Sequence, residues 1–123
     1  MIPTESQEQQ ALFQWAAFAE HSLWGELWGL YHIPNGGSRN KAEAARLKAE
    51  GVKKGVPDIC LPVPRGGYHG LYIELKRQKG GRLSEEQKEW LRFLSAQGYK
   101  AVACMGWEDA MGVIDEYLRE VRA

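Results

Sequence analysis

The sequence predicts a single α/β domain spanning residues 1–123, a mixed β-sheet flanked by helices. Three observations carry that prediction. The segments run helix, short strand, helix, strand, strand, helix, strand, helix; the helical segments repeat apolar residues at three-to-four spacing; and Leu71, Ile73 and Leu75 alternate with Tyr72, Glu74 and Lys76. Stripes of this kind need a second layer to cover them, and a sheet between helices is the simplest arrangement that buries them all. With 123 residues, 44% apolar content and five Trp, the chain holds enough for one core without staples.

The first helix is expected over residues 6–20. Thr4 or Ser6 can cap it, and Leu12, Trp15, Ala16, Ala19 and Leu23 form its apolar stripe. Glu8 falls on that stripe, where a carboxylate either caps the helix start, favoured by the macrodipole, or serves a site. Gly25 and Gly29 weaken any continuation, so residues 23–30 read as a short second helix or a turn. Tyr31-His32-Ile33 is a brief strand, stopped by the turn Pro34-Asn35-Gly36-Gly37. These glycines, followed by Ser38, Arg39, Asn40 and Lys41, combine free backbone N–H groups with positive charge, as phosphate-holding loops do. A plain surface turn has the same composition.

Lys41 to Glu50 forms an amphipathic helix closed by Gly51, and Ala42, Ala45 and Ala49 give it a side that can approach a neighbour closely. Pro57 drives Val56 towards extended geometry, leading into a strand that Asp58 opens. Residues 62–70, with two prolines and three glycines, make a hairpin-like link to the strand 71–76. The run Arg77 to Arg82 is a basic loop. Ser84-Glu85-Glu86-Gln87 is a capping box opening a helix whose apolar positions are Trp90, Leu91, Phe93 and Leu94, and Gly98 ends it. Tyr99 to Met105 reads as a strand. Trp107 to Val121 is the last helix, with Glu108 and Asp109 at its positive end and Met111, Ile114, Leu118 and Val121 inward.

Net charge is zero, but its distribution is uneven. Residues 39–82 hold 11 basic and 4 acidic side chains, leaving 5 basic and 12 acidic elsewhere. Such segregation can make one basic face for nucleic acid, or simply solvate one side with lysines. Cys60 and Cys104 each lie in an apolar run and lack Cys-x-x-Cys spacing, which points to buried free thiols. His21, His32 and His69 have no paired spacing for zinc, although His69 in the link could approach a substrate. No basic-then-apolar leader and no apolar run of eighteen residues occurs, so the chain is expected to be soluble, unexported and independent of membranes.

The strand 71–76 puts Glu74 and Lys76 on the face opposite its apolar three, with Asp58 opening the neighbouring strand. Two carboxylates and an amine at the end of a sheet suit a divalent cation and an activated water. Asp58 and Glu74 offer hard oxygen ligands for Mg²⁺ or Mn²⁺, the carbonyl of Leu75 can add another, and Lys76 can orient water or stabilise transition-state charge. That chemistry hydrolyses phosphodiesters. A Glu-x-Lys tripeptide alone is a common surface pair; the combination with Pro57-Asp58 and flanking basic loops is what points to a site. Arg46, Lys53, Lys54 and Lys79 join Asn35, Gly36, Gly37 and Arg39 as candidate nucleic-acid contacts.

These residues resemble the PD-(D/E)XK nuclease superfamily and, more narrowly, the virus-type replication-repair nuclease (VRR-NUC) family. The likeness runs through Glu8-Gln9, His32-Ile33-Pro34-Asn35-Gly36-Gly37, Gly55-Val56-Pro57-Asp58, Tyr72-Ile73-Glu74-Leu75-Lys76, and Ser84-x-x-Gln87 followed by Trp90. It implies a restriction-endonuclease-like core with Asp58, Glu74 and Lys76 as catalytic residues, Glu8 as a further acidic member, and Gln87 as a polar residue beside the site. For Gln87 this role competes with the capping box. The resemblance also implies a cytoplasmic enzyme of a phage or its bacterial host, a homodimer acting on branched DNA such as four-way (Holliday) junctions. The rival readings are a structured-DNA-binding module without turnover and a nuclease acting on RNA.

Overall fold

The computed structural model of the chain describes residues 1–34 and 40–122. Helix α1 spans Glu5–Ser22, and Thr4 and Gln7 close a reciprocal capping box at its start. Leu12, Ala16 and Ala19 are buried as the stripe predicts, but Leu23 is 60% exposed. The helix stops at Ser22, so Leu23 leaves the stripe, and a 3₁₀ turn over Gly25–Gly29 follows. Strand β1 (Tyr31–His32) leads to the candidate phosphate-loop residues Asn35, Gly36, Gly37 and Arg39, which lie outside the described residues.

Helix α2 (Lys41–Ala49) is capped by Asn40, whose side chain accepts the Glu43 N–H. None of its residues is buried, which corrects the expectation that its alanines pack closely on a neighbour. Strands β2 (Ile59–Leu61) and β3 (Leu71–Lys76) follow, then helix α3 (Glu85–Ala96), strand β4 (Lys100–Met105) and helix α4 (Trp107–Arg119). The last helix stops two residues before Val121, which is 80% exposed instead of inward; Ala110 and Tyr117 are buried in the stripe with Ile114 and Leu118.

The sheet order is β1-β2-β3-β4, antiparallel except for the parallel pair β3–β4. A parallel pair requires a crossover, and α3 provides it. Helices α1 and α4 pack on each other and on β3. Leu71, Ile73 and Leu75 join Ile59, Leu61, Leu12, Cys104 and Ile114 in one core. Helix α3 packs on β4 and reaches Glu74 through Gln87. Cys60 and Cys104 are buried free thiols, as expected. Away from the site, Arg65 is 5% exposed and its guanidinium is held by Glu26 and by the Pro64 carbonyl. Among the described residues no helix is long and apolar enough to cross a membrane.

Candidate active site

Asp58 sits one residue before β2, and its position is over-determined. Its carbonyl accepts the Ile33 N–H at 2.6 Å and pairs with His32 Nδ1 at 2.9 Å. Its side-chain Oδ2 accepts the Leu75 N–H at 2.8 Å. Antiparallel register sets Ile59 against Ile73, so Asp58 comes level with Glu74 and Pro57 with Leu75. In an extended strand a residue's N–H and C=O point to the same side. The Leu75 carbonyl therefore faces β2 where Pro57 has no N–H to offer.

Glu74 is 2% exposed and Lys76 7% exposed, an acid and an amine brought into the interior on one strand face. Lys76 Nζ lies 3.9 Å from Glu74 Oε2. Burial first, then the adjoining Asp58 carboxyl, push the Glu74 pKa from the usual 4.5 up to about 9, with Lys76 pulling it back. Two carboxyls within hydrogen-bond reach of each other cannot both ionise cheaply, and a cation between them removes the conflict.

Gln87 makes the cap and a contact to Glu74 at once by using both ends of its amide. Its Oε1 accepts the Ser84 N–H at 2.8 Å, while its Nε2 donates to Glu74 Oε2 at 3.2 Å. The start of α3 and the orientation of Glu74 are thus one hydrogen-bonded unit.

Glu8 is 1% exposed and caps a helix, but not its own. Its Oε1 accepts the Trp107 N–H at the start of α4, at 3.0 Å, and Oε2 is buried without a hydrogen-bond partner among the described residues. Among the described residues no three His, Cys, Asp or Glu side chains, Glu8 with Asp58 and Glu74 included, converge as a cation-binding group. The acid nearer the site is Glu5, which lines a cavity of about 240 Å³ with Gln9, His32, Asp58 and Leu75 and also raises the Glu74 pKa. Glu5 and Gln9 are one turn apart on α1, the i, i+4 spacing that could have marked this second face.

A larger cleft, about 1080 Å³, opens on the other side of Asp58. Its lining includes Lys48, Lys53, Lys54, Lys76, Arg82 and Gln87, with Ala44 and Leu47 of α2. Lys53 and Lys54 were expected here; Lys48 and Arg82 were not among the candidates. Arg46 instead pairs with Glu50 at 3.2 Å, and neither it nor Lys79 lines the cleft.

The donor set fits a hard divalent cation: two adjoining carboxylates and the main-chain carbonyl of Leu75, leaving the remaining positions to water. The same pair predicts a pH effect on the metal-free protein. Glu74 holds its proton far above the unfolded value, so its stabilising contribution is full below about pH 4.5 and is lost as pH rises towards 9. The melting temperature in EDTA should therefore fall across this window. Glu74→Gln should flatten the slope; an unchanged slope would show that Glu74 is not its source.

A four-stranded mixed sheet with this carboxylate pair and lysine at one strand end defines a restriction-endonuclease-like α/β domain. The family model for the VRR-NUC domain matches residues 3–108, and the chain belongs to that family, which is of nuclease type and generally depends on divalent metal. A solved structure described as a VRR_NUC domain protein matches with a TM-score of 0.82 at 29% identity, over 98% of this chain and 92% of that one. No curated protein matches the sequence.

Proposed function

We propose that the protein is a Mg²⁺- or Mn²⁺-dependent endonuclease that hydrolyses phosphodiester bonds in structured or branched DNA, four-way junctions included, during phage-type replication, recombination or repair. The observation that carries this reading is the facing pair Asp58 and Glu74, with Lys76 at 3.9 Å from Glu74, beside a cleft lined by Lys48, Lys53, Lys54 and Arg82. Phosphate of either polymer is drawn to such a cleft.

Asp58, Glu74 and the Leu75 carbonyl would hold the cation, which when bound supplies Lewis acidity and a water of lowered pKa. The chain's own groups do the rest. The Leu75 N–H fixes one oxygen of Asp58, and Gln87 fixes one oxygen of Glu74, so neither carboxylate must reorganise during the reaction. Lys76, held close to Glu74 on the same strand, can place its ammonium against a phosphoryl oxygen or the attacking water. Lys53, Lys54 and Arg82 position the backbone without reading bases.

A labelled four-way junction should be cut with Mg²⁺ or Mn²⁺ and left intact in EDTA, and an RNA competitor of equal length should compete poorly at moderate salt. Better cleavage of RNA would overturn the choice of DNA, and metal-independent cutting would overturn the site. The proposed homodimer has support in two large apolar side chains a monomer leaves bare, Phe18 at 72% and Trp28 at 82% exposure. Sedimentation at twice the chain mass, reduced to a single chain mass by Trp28→Ser, would bear out that part of the reading.

A further inference from the structure

We infer that Trp90 and Phe93, with Lys53 and Lys54 beside them, form a stacking platform for an unpaired base of the nucleic acid whose backbone occupies the neighbouring cleft. This rests on the nuclease reading and deepens it: the preferred substrate carries unpaired nucleotides next to the scissile region. The platform lies on α3. Phe93 is 55% exposed, and Leu94 is the residue that α3 buries. The two rings meet edge to face, 5.8 Å between centroids at 82°, so Phe93 braces the indole from the side.

Trp90 borders two hollows. One of about 320 Å³ is walled by Lys53, Lys54, Glu86, Glu89 and Phe93. The other, about 300 Å³, is lined by apolar atoms of Ile33, Pro34, Val52 and Val56 together with Lys53. Both reach roughly the lower end of small-ligand sites.

Charge divides the surface into a place for phosphate and a place for a base. Lys53 and Lys54 are exposed, neither is in an ion pair among the described residues, and both also line the large cleft. A backbone following these lysines passes directly from the cleft to the aromatic pair. Within the hollow itself Glu86 and Glu89 balance the two lysines, so it is a poor seat for a phosphate and a suitable one for a neutral ring whose exocyclic amines can donate to carboxylates. Every base has a π-face, so stacking of this kind selects for an unpaired strand and not for a sequence.

The platform is rigid relative to the site. Gly55, at φ +92°, lies so close to Glu86 that an added Cβ would stand 2.6 Å from its carbonyl carbon. The loop bearing Lys53, Lys54 and Asp58 is therefore locked onto the helix bearing Gln87 and Trp90.

The test compares, in EDTA so that no strand is cut, a splayed duplex carrying 2-aminopurine at its first unpaired position with a fully paired duplex of the same length. Wild type should bind the splayed form more tightly and quench the probe. Trp90→Leu and Phe93→Leu should each weaken that binding by about 5- to 150-fold and relieve the quenching. Paired-duplex binding should stay within about twofold, and Trp90→Phe should retain most of the preference. Phe93 is exposed, so its variant serves should Trp90→Leu fail to fold. Equal weakening on both substrates, persistent quenching in both leucine variants, or a change in oligomeric mass as the main effect would overturn the inference. Wild type binding neither duplex would overturn the nuclease reading as well, whereas equal binding of both duplexes would overturn this inference and leave that reading standing.

Discussion

Asp58→Asn and Lys76→Met are each expected to lower the cleavage rate by about 10²–10³-fold or more while leaving the metal-free protein at least as stable as wild type. The opposed signs follow from the geometry. Asparagine keeps an oxygen for the Leu75 N–H, now 2.8 Å from Asp58 Oδ2, but loses the charge that faces Glu74. Removing the Asp58 charge takes away one of the causes that raise the Glu74 pKa, so Glu74 ionises at less cost, and at the same time it removes a cation ligand. Methionine keeps the stem of Lys76, which is 7% exposed, and deletes an ammonium whose desolvation is costly in the interior. Because that ammonium would act on charge developing in the transition state, the loss should fall on kcat more than on KM. Lys79→Ala, an exposed lysine outside the cleft lining, is the control and should leave cleavage within about twofold. Activity within about threefold of wild type for Asp58→Asn would leave the site without its central residue.

The strand that carries the site was legible because period-two alternation is a local property. Leu71, Ile73 and Leu75 had to share a face, and that alone put Glu74 and Lys76 together on the other. The capping box at Ser84 is likewise local, four residues long, and it forms; of Thr4 and Ser6, the two caps open to the first helix, Thr4 is the one used, closing a box with Gln7. What could not be read depends on partners distant in sequence. Glu8 lies on the apolar stripe of α1, and only the fold shows that an N–H 99 residues away needs its carboxylate. Glu5, three residues earlier and turned only about 60° from Glu8 at about 100° per residue, is the carboxylate that borders Asp58. The alanines of α2 gave the same pattern as a packed helix, yet amphipathicity states only that a face is apolar, not that anything covers it. Gln87 looked like a choice between two roles because a sequence letter does not show that an amide has a donor end and an acceptor end. Basic residues were the least readable. Arg46, Lys79 and Arg82 are all exposed, and only the course of the chain puts Arg82 in the cleft and leaves the other two out.

Gly55→Ala is expected to be the most damaging glycine-to-alanine change among the described residues, costing about 2–5 kcal/mol. Part of this is the dihedral: at φ +92° an L side chain is strained by about 1–2 kcal/mol. The remainder is contact. The new Cβ would stand 2.6 Å from the Glu86 carbonyl carbon and 2.8 Å from its oxygen, and both belong to helix backbone that cannot swing aside like a side chain. Relief requires α3 to move off the loop before Asp58. Gln87 follows Glu86, so the same movement stretches its 3.2 Å hydrogen bond to Glu74 and frees the carboxylate it orients. The variant should therefore melt lower by on the order of 10 °C, and below its melting point it should still cleave more slowly than wild type. Gly51→Ala separates the two contributions, since Gly51 has φ +102° but, among the described residues, nothing within 4 Å of its added Cβ. It should show only the dihedral cost and normal cleavage. Equal destabilisation by the two substitutions would mean that the loop and α3 are not locked together, and the shared positioning of Asp58, Gln87 and Trp90 would lose its physical basis.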